Sequence, residues 1–249
     1  MKIGLIGAGN MAGALARGWN EPLLVADVDR DRATALAESV GGTVAGSNAE
    51  LAEQVDVVIL CHKPPQLQEV ADEIRESAGA IVSILGGVPV ATVEAAYPDK
   101  PVYRFMPNQP AEVRRGVSCY VAGSRAAEGP EDEVLALFGR LGTVVALPED
   151  QMETATAVMS CAPAWIALVA EALVDAGARH GLEHDQAERL VAQAVAGTGD
   201  LLVGLEVTPE ELRRRVTSPG GLTERGTKAL EEAGIRDAFD AAVKAVVNA

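Results

Sequence analysis

The chain has 249 residues, 48% hydrophobic, 23% charged and only 3% aromatic, which suits one large domain or two moderate ones and excludes a disordered chain. A net charge of −15 argues against nucleic-acid partners, because neutralising phosphates takes a basic face. An anionic ligand must then be held locally, by backbone N–H groups and a few placed side chains.

Taken in chain order, Lys2–Ile6 reads as an apolar strand that meets a glycine-rich turn too early for a signal peptide to be expected. Asn10–Trp19 has a helical pattern, Leu23–Ala26 is a strand ending at Asp27, and Arg30–Val40 is a helix with Ala33, Leu36 and Ala37 on one face. Val55–Cys61 is the next strand. Its centre, Val57-Val58-Ile59-Leu60, is apolar throughout, as a parallel strand covered on both faces must be. A helix over Gln66–Ser77, a strand over Ala80–Leu85, a short helix over Val90–Tyr97 and a strand over Val102–Phe105 follow. Residues 117–122 and 143–147 are further strands around a helix at 130–140. This alternation predicts a parallel sheet with right-handed crossovers and helices on both faces.

The pattern changes at Pro148-Glu149-Asp150, beyond which no strand is predicted. Gln151–His180 reads as one or two long helices, followed by helices over Asp185–Leu205, Thr208–Val216, Leu222–Gly234 and Arg236–Asn248. Thr208-Pro209-Glu210-Glu211 is a strong helix start, with an N-cap, a proline at the first position and an acidic first turn. The expected division is therefore an α/β domain over 1–147 and an all-helical domain over 148–249. The small apolar residues of the second half call for a partner surface, so a homodimer is expected. Cys161–Val174, the longest apolar stretch, carries Glu171 and is short for a membrane span, so no membrane segment is expected. Cys61, Cys119 and Cys161 form no C-x-x-C pair, which fits a reduced, cytoplasmic protein. His180 and His184 could share a helix face, but Gly181-Leu182-Glu183 between them is no metalloprotease pattern, and no metal site is expected.

Gly7-Ala8-Gly9-Asn10-Met11-Ala12 follows the first strand and opens the first helix, the context a Rossmann dinucleotide loop requires. Gly7 permits the tight turn, Gly9 lets the backbone approach a pyrophosphate, and Ala12 replaces the third glycine with another small residue. The free N–H groups of Asn10 and Met11 at the helix start would hold the phosphates. Asp27, at the end of the second strand, suits the hydroxyls of an adenosine ribose and favours NADH, whereas Arg30 and Arg32 beyond it could neutralise the 2′-phosphate of NADPH. The residues leave both cofactors open.

Four further segments resemble the pyrroline-5-carboxylate reductase family. They are Val58-Ile59-Leu60-Cys61-His62-Lys63-Pro64, Arg104-Phe105-Met106-Pro107-Asn108-Gln109-Pro110-Ala111, Ser160-Cys161-Ala162-Pro163-Ala164-Trp165, and Val216-Thr217-Ser218-Pro219-Gly220-Gly221 with Leu222-Thr223. The likeness implies a Rossmann domain followed by a helical dimerisation domain, and NAD(P)H-dependent reduction of a cyclic imine carboxylate to L-proline. Carried over by position, Asn48 and the loop of Cys61, Lys63 and Pro64 line the cofactor, and Asn108 lies near the nicotinamide. Ser218, Pro219, Gly220, Gly221 and Leu222 hold the substrate, and Thr223 offers a hydroxyl to the ring nitrogen. Independently, Ser-Pro-Gly-Gly at a helix start should leave N–H groups unpaired and open to a carboxylate. The chain departs from the family at Ser160, Cys161, Ala162, Trp165 and Leu222, which keeps a shifted imine or oxo-acid substrate open as an alternative. A non-catalytic NAD(P)-binding regulator is the other alternative. A hydroxyacid dehydrogenase fits less well, since beyond residue 149 the only lysines are Lys228 and Lys244, both late in the helical half.

Overall fold

Strand β1 (Ile3–Ile6) has four buried residues because sheet neighbours flank it and helices cover both its faces. The computed structural model describes residues 1–248. After β1 come α1 (Asn10–Trp19), β2 (Leu24–Ala26), α2 (Arg30–Ser39), β3 (Thr43–Val44), α3 (Asn48–Gln54) and β4 (Val57–Leu60). Then follow α4 (Leu67–Ile74), β5 (Ala80–Ser83), α5 (Val90–Ala96), β6 (Val102–Pro107), β7 (Gly116–Ala122), α6 (Glu131–Gly139), β8 (Gly142–Ala146) and α7 (Met152–Ala155). The strands make one sheet in the order β3-β2-β1-β4-β5-β6-β7-β8. The chain winds outward from β1 to β3 and then crosses back to β4 on the other side of β1. Their carboxyl ends therefore frame the crevice where open α/β sheets bind ligands.

The sheet is not wholly parallel, as the alternation suggested. β6 and β7 pair antiparallel, Phe105 opposite Tyr120, while every other neighbouring pair is parallel. The reason is length: only a 3-10 turn over Gln109–Val113, closed by Arg114 at φ +58°, joins them, whereas a parallel return needs a crossover of a dozen or more residues. The sequence reading also left out β3 and α3. The start of α3 is marked by Ser47, whose hydroxyl accepts from the Glu50 N–H at 3.1 Å, while the Glu50 carboxylate accepts from Gly46 N–H at 2.7 Å. That Ser-x-x-Glu pattern was visible in the sequence.

The few aromatic residues are concentrated on one face of the sheet. Phe105 stacks on Phe138 with ring centroids 3.9 Å apart, and Trp19 meets Phe138 edge-on at 5.7 Å. The Trp19 indole N–H donates to the Leu137 carbonyl at 3.0 Å, so its one polar atom is satisfied inside the core. The opposite face is aliphatic, with Leu51, Leu60, Ile74 and Ile81 fully buried around Tyr97.

By contacts, the chain divides into two compact units after Cys161. The stretch between β8 and that point stays with the sheet because Met152 and Met159 pack with Met106, Cys119 and Val121. Between α7 and Cys161 the backbone makes a π-helical turn, Thr156–Ser160, a form concentrated at functional sites. One buried charge belongs to this region. Arg104 on β6 is 1% exposed and pairs with Glu149, with Glu153 at 3.5 Å beyond.

The second unit contains α8 (Ala162–Arg179), α9 (His184–Gly204), α10 (Pro209–Arg215), α11 (Leu222–Glu232) and α12 (Ile235–Val247), and no strand occurs there among the described residues. Thr208 caps α10 as expected, accepting from the Glu211 N–H at 3.1 Å. α8 packs along α9, yet within these helices only Val174, Ala187 and Leu212 are buried. Ile166, Leu168, Leu173, Leu190, Leu201 and Val203 are all exposed. The helical run Glu149–Arg179 is long and apolar enough to cross a membrane by length and composition. His180 closes one helix and His184 opens the next, so they do not share a helix face.

Candidate dinucleotide site

A cavity of about 890 Å³ opens at the carboxyl ends of β1, β2, β4 and β5. It is built around the glycine loop. Gly7 has φ +105°, donates its N–H to the Ala26 carbonyl at 2.7 Å, and so ties the end of β1 to β2. A Cβ at Gly7 would lie 2.6 Å from the carbonyl carbon and oxygen of Cys61, so the turn leaving β4 presses on this loop from the other side. Gly9 differs: a Cβ there would meet no protein atom within 4 Å. Gly9 is the N-cap of α1, brings no capping side chain, and no acid stands in the first turn. The cradle at the helix start is therefore open and electropositive, and it suits a pyrophosphate. Ala12, buried at 1%, packs the helix against β1 as the small third position requires.

The structure brings Gly7, Gly9, Asn10, Met11, Ala12, Asp27, Asn48, Cys61, Lys63 and Pro64 together around this one cavity. Asp27 is held by two backbone bonds, Oδ2 accepting from Ala8 N–H at 2.6 Å and Oδ1 from Asp29 N–H at 2.8 Å. The Asn48 amide donates to Glu73 at 2.7 Å. The Lys63–Pro64 turn is closed by the Gln66 side chain, which accepts from Lys63 N–H at 3.0 Å. Burial pushes the Cys61 thiol up, so it lines the cavity as a neutral, apolar group. Burial pushes the neighbouring His62 down, which keeps its ring neutral. Its Nδ1–H donates to the Lys63 carbonyl at 2.9 Å and Nε2 is left buried without a partner. The sequence reading named Arg32 but missed Ala35, Leu36 and Ser39 on the same α2 stripe and the segment Ile84–Gly86 after β5. The i, i+3, i+4, i+7 spacing of the first group was a readable signal that its face looks on the site.

Asn108 is not among the cavity-lining residues. Its buried amide donates to the Met159 carbonyl at 3.0 Å and its oxygen accepts from Val117 N–H at 2.9 Å. The side chain expected near the nicotinamide thus joins β7 to the π-helical turn.

Ser218, Pro219, Gly220, Gly221, Leu222 and Thr223 lie in the second unit, at the entry to α11. Gly220 adopts φ +74°, a conformation that favours glycine. Two of the N–H groups expected to be unpaired are taken internally. Gly220 N–H donates to Glu224 Oε2 at 2.6 Å, and Gly221 N–H to the Ser218 carbonyl at 2.9 Å. A carboxylate three residues into the helix thus occupies an anion-accepting N–H of the loop, in the manner of a helix cap. Leu222 is 84% exposed and Thr223 is exposed beside it.

Residues 149–249 match the family model for pyrroline-5-carboxylate reductase dimerisation, and residues 2–87 match the model for NADP oxidoreductase, coenzyme F420-dependent. A pyrroline-5-carboxylate reductase of Synechocystis sp. is 33% identical, the match covering 98% of this chain and 95% of the relative. One from Methanosarcina acetivorans is 36% identical over 97% of this chain and 94% of its own. The chain belongs to the pyrroline-5-carboxylate reductase family. Among solved structures, the reductase of Coxiella burnetii has a TM-score of 0.89 at 31% identity, covering 99% of this chain and 96% of that one. The Plasmodium falciparum enzyme, solved with NADP bound, has a TM-score of 0.87 at 27% identity, covering 100% and 96%. As a family member, the protein is an NAD(P)H-dependent oxidoreductase that reduces pyrroline-5-carboxylate, with an N-terminal Rossmann-type domain and a C-terminal helical dimerisation domain.

Proposed function

We propose that the Gly7–Ala12 loop holds the pyrophosphate of NADH or NADPH and that the Ser218–Thr223 loop holds 1-pyrroline-5-carboxylate for reduction to L-proline. The observation that carries the first half is the uncapped start of α1 beneath Gly9, open where a Cβ would meet nothing. Met11 and Asn10 supply N–H groups there, Asp27 faces the adenosine ribose, and Asn48, Cys61, Lys63 and Pro64 line the remainder. The bound dinucleotide supplies the hydride. The protein's part is alignment and exclusion of water. Ser218, Pro219, Gly220, Gly221 and Leu222 take the substrate carboxylate, displacing Glu224 from Gly220 N–H. Thr223 donates its hydroxyl to the ring nitrogen. Asn108 supports this work through the backbone rather than by touching cofactor.

The division at 147/148 is our reading of where the two functional modules meet, supported by the start of the dimerisation match at 149. The exposed apolar side chains of α8 and α9 fit a homodimer in preference to a lipid bilayer, since the dimerisation match includes the run Glu149–Arg179. A cytoplasmic setting agrees with three free cysteines.

The test follows NADH and NADPH oxidation with pyrroline-5-carboxylate, a six-membered imine acid and a β-keto acid in parallel. Turnover of the five-membered imine is expected to dominate; turnover of another substrate alone would overturn the assignment. Thr223→Ala is expected to lower kcat about a hundredfold, the usual cost of losing one transition-state donor, with dinucleotide affinity intact. An unchanged kcat would remove Thr223 from the site.

A further inference from the structure

We infer that Asp27 makes this enzyme NADH-selective, although a relative has been solved with NADP. The inference rests on the dinucleotide reading of the β1–α1 cavity. Asp27 stands at the carboxyl end of β2, half-buried, and lines that cavity. Both its oxygens are already engaged by backbone, Oδ2 by Ala8 N–H at 2.6 Å and Oδ1 by Asp29 N–H at 2.8 Å. These two bonds hold the carboxylate in one orientation, so it cannot turn away from a bound nucleotide. A carboxylate has about four acceptor positions and no donor. With two used by the loop, two remain for incoming donors, the number offered by the 2′ and 3′ hydroxyls of an adenosine ribose. A 2′-phosphate offers only acceptor oxygens and negative charge to the same place.

The charges that follow Asp27 along the chain do not compensate. Arg32 lines the cavity, but its guanidinium lies 3.3 Å from Asp29, whose other oxygen accepts from Arg32 N–H and caps α2. Arg30 is not among the lining residues, and Val28, which is, stands 92% exposed with no charge to offer. From Asp27 to Arg32, three aspartates face two arginines. Arg32 is thus shared with Asp29, while Asp27 is fixed by the loop, so the decision falls to the Asp27 carboxylate.

The test measures direct binding, by fluorescence titration of the purified protein with NADH and NADPH, beside steady-state rates with pyrroline-5-carboxylate. The wild type is expected to bind NADH at least tenfold more tightly, with the ratio narrowing at high salt as repulsion is screened. Asp27→Ser and Asp27→Asn are each expected to move the ratio at least tenfold toward NADPH; the asparagine keeps the shape and one accepting oxygen for the loop. A purely structural Asp27 would weaken both dinucleotides equally and leave the ratio alone, and that result overturns the proposal. A wild-type preference for NADPH that Arg32→Ala abolishes overturns it equally. NADH-selective binding without turnover of pyrroline-5-carboxylate would sink the substrate assignment and leave this inference standing. Failure to bind either dinucleotide would remove both.

Discussion

Gly7→Ala is expected to destabilise the sheet domain and raise the dissociation constant for NADH at least a hundredfold, whereas Gly9→Ala is expected to impair binding alone. The two glycines sit two residues apart and do opposite jobs. At Gly7 the backbone is at φ +105°, where an alanine is strained by about 1–3 kcal/mol. Its Cβ would also press on Cys61 carbonyl atoms at 2.6 Å and His62 N at 2.7 Å. These are backbone atoms of the turn that follows β4, so no rotamer change relieves the contact. The turn would have to open, and the Gly7–Ala26 hydrogen bond holding β1 to β2 would open with it. At Gly9 the added methyl meets no protein atom, so thermal unfolding should not move by more than a few degrees. The methyl would instead stand in the cradle at the start of α1, and NADH affinity should fall at least tenfold. Thermal melts and NADH titrations on the two variants check both statements. A Gly9→Ala protein that binds NADH normally would show that the pyrophosphate does not approach this loop.

Arg104→Ala should lower stability by roughly 3–5 kcal/mol, the usual result of breaking a buried ion pair from one side. For a protein of this size that corresponds to about 10 °C in Tm. Arg104 lies almost fully buried on β6, and its Glu149 partner also accepts from Val90 N–H at 3.3 Å. Removing the arginine leaves that carboxylate, two-thirds buried, without its counter-charge. Glu153→Ala should cost less than about 1 kcal/mol, because the contact is 3.5 Å long and the carboxylate is half-exposed. The pair is imperfectly satisfied, since Arg104 Nε and Nη2 and Glu149 Oε2 are buried without hydrogen-bond partners. Replacing both residues with apolar ones, Arg104→Met with Glu149→Leu, should therefore recover much of the loss. Melts of the single and double variants measure the coupling directly; additive losses would show that the pair does not hold residues 149–153 to the sheet.

Much of the fold was legible because its determinants are local. Val57-Val58-Ile59-Leu60 has no polar position, so it had to be a central strand, and it is one. Thr208-Pro209-Glu210-Glu211 carries a complete helix start in four residues. The reversal at β7 was not legible as alternation. It follows from the shortness of the Gln109–Val113 turn, a geometric constraint rather than a periodicity. The weak strand β3 was missed because two residues of sheet depend on their neighbour β2 and not on their own pattern.

The sequence by itself determined the local geometry at Gly7, Gly9 and Ala12, since the turn, the open position and the small packing position are each set by a residue type within six positions. It also determined that a helical, apolar-surfaced unit follows, because the period of the pattern and the lack of aromatic mass are properties of the chain. Only the tertiary structure decided what Asp27 and Asn108 do. Both are polar residues at strand ends, and in the sequence they look alike as cofactor contacts. Asp27 keeps acceptor positions free while its orientation is locked by Ala8 and Asp29. Asn108 spends both ends of its amide on Val117 and Met159, residues near and far in the chain. The use of a polar side chain depends on which backbone groups folding brings within hydrogen-bond reach, and no spacing in the sequence encodes that.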